Sequence, residues 1–240
     1  MAKATTIQTI LSIATSSHWS IRQLDISNAF LHGFIDSNIY MEQPIGFQDS
    51  SHPDYVCKLS KSLYGLKQAP RAWFHRLTSF LQDLGFQASK VDSSLFILHQ
   101  GALKFYVLIY VDDILLTCSN STKLDWFLSK IKSTFLVRDL GSLHFFLDIE
   151  AQFSVDGLLI TQQKYITDLL ANSNMFNCKP CHTPMSTNLP LSKLSGDPLS
   201  NVEQYCQVVG SLQYITLTRP DMSFSVNKLS QFMHQPTQEH

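Results

Sequence analysis

The stretch from Lys104 to Cys118 constrains the fold more than any other. Two runs of aliphatic, β-branched and aromatic residues, Phe105 to Tyr110 and Ile114 to Thr117, flank the acid pair Asp112-Asp113. Runs of that composition favour strand over helix. Two adjacent carboxylates in so apolar a setting are costly unless something pairs with them. A turn made by the acids themselves would lift both to the rim of a sheet. From there their oxygens suit Mg²⁺ or Mn²⁺. The competing reading is a hairpin with an acidic turn and no ligand, because Asp is a common turn residue. On this stretch alone both stay open.

Around it the chain alternates between the two periodicities. Ile7, Ile10, Leu11 and Ala14 predict a short helix near Thr6 to Ser16. Ile21 to Ile26 is expected to be a strand carrying Asp25 near its end, and Asn28 to Gly33 turns away from it. Met41 to Asp54, with Pro44, Gly46 and Pro53, is an irregular loop. A turn over Leu63 to Ala69 leads into a helix that begins with Pro70, buries Trp73, Leu77, Phe80, Leu81 and Leu84, and ends at Gly85. Strands over Ser94 to His99 and Leu103 to Tyr110 precede the acidic turn, and a third runs to Cys118. Ser121 to Phe135 is a helix with Leu124, Phe127, Leu128 and Ile131 on one face. Leu143 to Glu150 and Leu158 to Thr161 form a further hairpin around Asp156-Gly157, and a helix follows from Gln162 to Ala171. Residues 177–200, rich in Pro and Ser, are a linker; two helices with stripes Val202 to Leu212 and Met222 to Met233 close the chain. Strands joined by hairpins and mixed with helices make the class α+β.

The net charge of −1, from 18 basic and 19 acidic residues, conceals a local asymmetry. Between Tyr55 and Gln82 stand Lys58, Lys61, Lys67, Arg71 and Arg76 with no acid, interleaved with Tyr64, Trp73 and Phe74. Such a stripe suits a phosphate backbone, although a solvated helix face over core aromatics gives the same pattern. Five cysteines, no secretory signal and no apolar run of membrane length predict an intracellular protein, in cytoplasm or nucleus, with free thiols and no membrane partner.

Several motifs, in order, resemble copia-type retrotransposon reverse transcriptases. Gln23-Leu24-Asp25-Ile26-Ser27-Asn28-Ala29-Phe30-Leu31-His32-Gly33 is similar to the first palm motif, Leu63 to Trp73 to the second, and Tyr110-Val111-Asp112-Asp113 to the third. Asp139-Leu140-Gly141 with Phe146 to Glu150 resembles the approach to the primer-grip hairpin, and Thr218-Arg219-Pro220-Asp221 the thumb side. The resemblance covers nearly the whole chain. It implies a polymerase palm with an antiparallel sheet and packed helices over residues 1–176, and a small helical thumb-like segment over 201–240. It also implies RNA-directed DNA synthesis with two Mg²⁺ or Mn²⁺ ions at Asp25, Asp112 and Asp113. Phe30 would be the gate against a ribose 2′-hydroxyl, though it also fits a core position. Tyr64, Gly65 and Gln68 would underlie the incoming nucleotide. Lys67, Arg71, Phe146, Leu147 and Ile149 would meet nucleic acid. The implied partners are an RNA or DNA template with its primer, deoxynucleoside triphosphates, and the fingers, RNase H and integrase regions of a longer polyprotein.

Two departures stand out. Asp148 takes the place of a glycine in the family's Phe-Leu-Gly-Ile-Glu run, where an acid would repel a primer phosphate and a positive φ would suit glycine better. The family's basic fingers precede the position of Thr5, and the chain starts just before it. A fragment with impaired catalysis is therefore expected, and an inactive remnant that at most binds nucleic acid or protein is the alternative. A palm-like nucleotide cyclase would not need the motif from Tyr64 to Trp73. Cys178-Lys179-Pro180-Cys181-His182 matches a haem-attachment pattern by chance, and as a zinc site it lacks a second ligand pair.

Overall fold

A computed structural model of the chain describes residues 2–181, 183–185, 191–192 and 196–240. Pro190 of the expected linker and His182 of the Cys-x-x-Cys-His run lie outside the described residues. Two compact units divide the chain at Leu143/His144.

The first unit holds helix α1 (Ala4–Ser16), strand β1 (Ile21–Ile26), a 3₁₀ turn (Ala29–His32), β2 (Tyr40–Glu42), β3 (Val56–Lys58) and α2 (Ala69–Asp83). These are followed by β4 (Gln87–Ala88), β5 (Leu95–Gln100), β6 (Leu103–Tyr110), β7 (Asp113–Cys118), α3 (Ser121–Thr134) and β8 (Val137–Ser142). Six strands make one sheet in the order β4-β5-β6-β7-β1-β8, each pair antiparallel. Mixed α and β elements on antiparallel sheets are what the sequence predicts.

Alternation along the strands sorts the side chains. Leu24, Ile26, Phe105, Val107, Ile109, Ile114 and Leu116 join Trp73, Leu77 and Leu81 of α2 and Phe127 and Ile131 of α3 in one core. Each such fully buried side chain contributes roughly 2 kcal/mol. Phe86, Phe105 and Phe127 meet edge to face, with centroids 5.2 to 5.6 Å apart. Gln23, Asp25, Asp113, Leu115 and Tyr110 fall on the other face of the sheet, by the register Gln23↔Leu115, Asp25↔Asp113 and Tyr110↔Asp113.

Helix α1 has no side-chain cap of its own at Lys3. Asp92, in the loop before β5, caps it from a distance, accepting from the Lys3 amide (2.9 Å) and the Thr6 hydroxyl (2.6 Å). Burial alone would raise the Asp92 carboxyl. Hydrogen bonds from Ser94, Thr6 and the backbone of Lys3 and Ser94 outweigh it and hold the group far below the usual carboxylate range.

Several expected elements differ from those observed. The acidic turn is shifted by one residue: Tyr110 pairs with Asp113, so the turn is Val111-Asp112 and Asp113 opens β7. Residues 137–142, with Arg138, Asp139 and Gly141, carry no strand signature, yet they form β8 against β1. Asp139 is held there by Arg22 (2.8 Å) and Lys132 (3.1 Å), so partners distant in sequence override a weak local preference. The loop after Met41 is closed by the short β2–β3 pair.

The second unit contains β9 (Phe145–Phe146), β10 (Ile149–Ser154), β11 (Gly157–Thr161), α4 (Gln163–Asn172), α5 (Val202–Ile215), a 3₁₀ turn (Pro220–Met222) and α6 (Ser223–Ser230). Its sheet runs β11-β10-β9. The single strand expected over Leu143 to Glu150 is instead broken by a tight turn at Leu147-Asp148, because Phe146 pairs with Ile149. A hairpin does form beside Asp156-Gly157, but its first strand is Ile149–Ser154 rather than the expected Leu143 to Glu150. Tyr165 of α4 meets Tyr214 of α5 edge to face at 5.1 Å, and Thr218 donates to the Gln162 side chain (2.7 Å).

Candidate active site

The three acids singled out by the sequence come together at one end of the first unit's sheet. Asp25 lies directly across from Asp113 in the β1–β7 ladder, so both side chains leave the sheet on the same face. Asp112 precedes Asp113 in the turn, and its carbonyl accepts from the Ile26 amide (2.8 Å). All three are half-buried.

Burial raises the Asp113 carboxyl, and the neighbouring charges of Asp112 and Asp25 raise it further; a hydrogen bond from Gln23 partly offsets them. Gln23 is itself only 6% exposed and sits two residues before Asp25 on that face. Like charges crowded at a sheet rim are the electrostatic condition that a divalent cation relieves. Among the described residues no three Asp, Glu, His or Cys side chains converge closely enough to form a ligand shell as they stand. The donor chemistry of the three carboxylates suits a divalent ion.

The turn carrying Asp112 is strained. Val111 has φ +56°, whereas Asp112 has no positive φ; this is the pattern of a type II′ turn, whose first central residue is ordinarily glycine. A β-branched residue there is an outlier. Trp73 of α2, 2% exposed, donates its indole N–H to the Val111 carbonyl (2.6 Å).

The Phe30 and Tyr64 rings touch with centroids 4.9 Å apart, and Ser62 donates its hydroxyl to the Phe30 carbonyl. Tyr64 is 57% exposed, so its outer face is open. Gly65 has φ +90°, and a Cβ there would meet nothing within 4 Å, so the backbone conformation is what demands glycine. Gly33 is different: a Cβ there would meet the Trp73 backbone nitrogen at 2.8 Å, so glycine lets the segment after Phe30 press on α2.

Gln68 donates to Ser37 (3.2 Å), and with Arg71, His75, Arg76, Phe34 and Asp36 it lines an open cleft of about 550 Å³. Arg71 donates to His75 (3.3 Å), and the Arg76 guanidinium stacks over Phe34 at 5.2 Å. Lys67 is exposed outside that cleft. In the second unit Phe146 and Ile149 are each 2% exposed, so their side chains serve the core, whereas the Leu147-Asp148 turn faces outward. Leu147 and Asp148 have φ +51° and +55°, a type I′ pair, and Tyr214 donates its hydroxyl to the Leu147 carbonyl.

Sequence reasoning placed Trp73 in the core stripe and missed its link to the acidic turn. It also missed Gln23 and Val111. The available signals were a polar N–H on a residue predicted to be buried, and an amide two residues from an acid on the same strand face.

Residues 1–187 match the family described as reverse transcriptase (RNA-dependent DNA polymerase). The chain belongs to this family, in its copia-type branch. It is 50% identical to the retrovirus-related Pol polyprotein from transposon RE1 of Arabidopsis thaliana, over 99% of the chain and 16% of that polyprotein. It is 48% identical to the RE2 counterpart of the same plant, with the same coverage. Against the Pol polyprotein from transposon TNT 1-94 of Nicotiana tabacum the identity is 36%, over 100% of the chain and 19% of the relative. The chain therefore spans less than a fifth of the length of these polyproteins. The resemblance seen in the motifs is borne out. Among the described residues no helix is long and apolar enough to cross a membrane.

Proposed function

We propose that residues 1–176 are the palm of an RNA-directed DNA polymerase, residues 177–200 a linker, and residues 201–240 a thumb-like helical segment. The reaction is attack of a primer 3′-hydroxyl on a deoxynucleoside triphosphate opposite an RNA or DNA template. The observation that carries this reading is the register of Asp25 against Asp113, with Asp112 in the adjoining turn.

Asp25, Asp112 and Asp113 would hold two Mg²⁺ or Mn²⁺ ions. Such a pair supplies activation of the 3′-hydroxyl and neutralises the triphosphate and departing pyrophosphate. The chain's own residues position the reactants. Phe30, which packs against Tyr64, would act as the gate against a ribose 2′-hydroxyl. The φ of Gly65 bends the loop from Tyr64 to Gln68 beneath the nascent base pair. Lys67, in the turn before α2, and Arg71, in its first turn, are exposed and would meet phosphates of the template or triphosphate. At the primer, the outward Leu147-Asp148 turn makes the contact through its backbone, because Phe146 and Ile149 are buried. The relatives are much longer polyproteins, and we propose that regions outside the matched segment complete the polymerase.

The test is extension of a DNA primer on an RNA template by the purified chain in Mg²⁺ or Mn²⁺, beside Asp112→Asn. Extension that this substitution abolishes supports the polymerase. Extension no greater than that of the variant, with template affinity retained, returns the chain to a nucleic-acid-binding remnant.

A further inference from the structure

The two residues of the Val111-Asp112 turn each offer a carbonyl, and each carbonyl is held from outside the hairpin. Asp112 accepts from the Ile26 amide of β1 (2.8 Å), which seats the turn beside Asp25. Val111 accepts from the Trp73 indole of α2 at 2.6 Å, across 38 residues of sequence. A cavity of about 150 Å³, lined by Phe30, Pro70, Trp73, Tyr110 and Val111 among others, lies beneath the turn, and Val111 is 42% exposed. Val111 therefore gains little from packing, while its backbone is in a region that β-branched residues avoid. Strain of this kind persists only where the surroundings over-determine it.

We propose that Trp73 is a positioning residue for the acidic turn: its indole N–H, by holding the Val111 carbonyl, keeps Val111 left-handed and so aims Asp112 at the face shared by Asp25 and Asp113. The rest of Trp73 is fixed independently. Its ring meets Phe135 edge to face at 5.3 Å and His32 at 5.8 Å, and the Gly33 backbone packs against its own. The donor thus comes from a rigid point in the core, and the acceptor is the one residue of the turn whose conformation is unfavourable. If the hydrogen bond is lost, Val111 relaxes towards negative φ, and Asp112 rotates away from Asp25 without any change in the sheet. The catalytic consequence rests on the polymerase reading above; the conformational consequence does not.

The test is Trp73→Phe, which keeps an aromatic ring in the core and deletes the donor. If that variant folds poorly, 3-benzothienylalanine at position 73, which keeps the indole outline and lacks the N–H, takes its place. Two measurements decide. The first is native-state hydrogen exchange at the Ile26 amide, whose protection is expected to fall about tenfold as the turn loosens. The second is primer extension, where kcat is expected to fall about 10- to 100-fold with KM for the nucleotide little changed. Adding Val111→Gly removes the need for the brace, since glycine adopts positive φ freely. The double variant is therefore expected to recover to within about threefold of Val111→Gly alone. Unchanged protection at Ile26 overturns the proposal, and so does a kcat loss that Val111→Gly leaves in place. If the unsubstituted chain extends no primer beyond Asp112→Asn, the polymerase reading fails, and hydrogen exchange still decides on the brace.

Discussion

The hairpin turns at Val111-Asp112 and Leu147-Asp148 are built alike and placed differently. Each has an apolar residue at positive φ followed by an aspartate, and each apolar residue's carbonyl accepts from an aromatic side chain on a helix of its own unit. Trp73 serves the first turn and Tyr214 the second. The difference lies in the acids. Asp112 is half-buried, next to Asp113 and near Asp25, where carboxylates repel one another. Asp148 is exposed on a two-residue turn of type I′, where Asp is tolerated better than most residues. An aromatic donor can thus hold an unfavourable turn in either unit; only the crowding of acids turns one of them into a candidate for metal-dependent chemistry.

The largest test of that contrast is kinetic. Asp112→Asn is expected to lower the primer-extension rate by about 10³-fold or more, and Asp148→Asn to change it by less than about threefold. Equal losses would erase the distinction between the turns. Removing the second aromatic donor, by Tyr214→Phe, leaves the Leu147 carbonyl without that partner and is expected to lower the stability of the chain by about 1–2 kcal/mol in urea denaturation. No loss would mean that the I′ turn stands without its brace. Replacing Leu147-Asp148 by Asn-Gly, the pair best suited to a type I′ turn, is expected to raise stability by about 1 kcal/mol. A fall would show that the Leu147 side chain matters more than its backbone.

The smallest effect is set by pH and separates the acids. Asp113 has a carboxyl raised by burial and by Asp112 and Asp25. Its contribution to stability is fully present below the usual carboxylate value, near pH 4, and is lost as pH rises through the raised value. Asp113→Asn should therefore melt with the unsubstituted chain at about pH 3.5, and roughly 2 °C above it at about pH 7 without divalent ions. Mg²⁺ should narrow the gap. A gap that is widest at low pH would contradict the crowding of acids at the first turn.

Much of the first unit was legible because burial imprints periodicity on sequence. β1 was expected at Ile21 to Ile26 and is found there, and the helical stripe from Trp73 to Leu81 faces the core as predicted. Asp112 and Asp113 stand out because acids beside long apolar runs need a reason, whereas Asp25 is marked by the resemblance of Gln23 to Gly33 to the first palm motif. β8 was not legible, since its strand state depends on β1, Arg22 and Lys132 rather than on its own residues. The break at Leu147-Asp148 was hidden because neither residue signals a turn of positive φ as glycine would.

The sequence by itself determined most helices and the long strands of the first unit, and it marked Asp25, Asp112 and Asp113 as candidates. Periodicity and composition act locally, so they can be read locally. Only the tertiary structure decided that the turn is Val111-Asp112, that Asp113 lies in the strand opposite Asp25, and that Trp73 holds the turn from a helix 38 residues away. Those facts depend on the turn geometry that sets the register and on hydrogen-bond partners far away in sequence, and neither is written in the local composition.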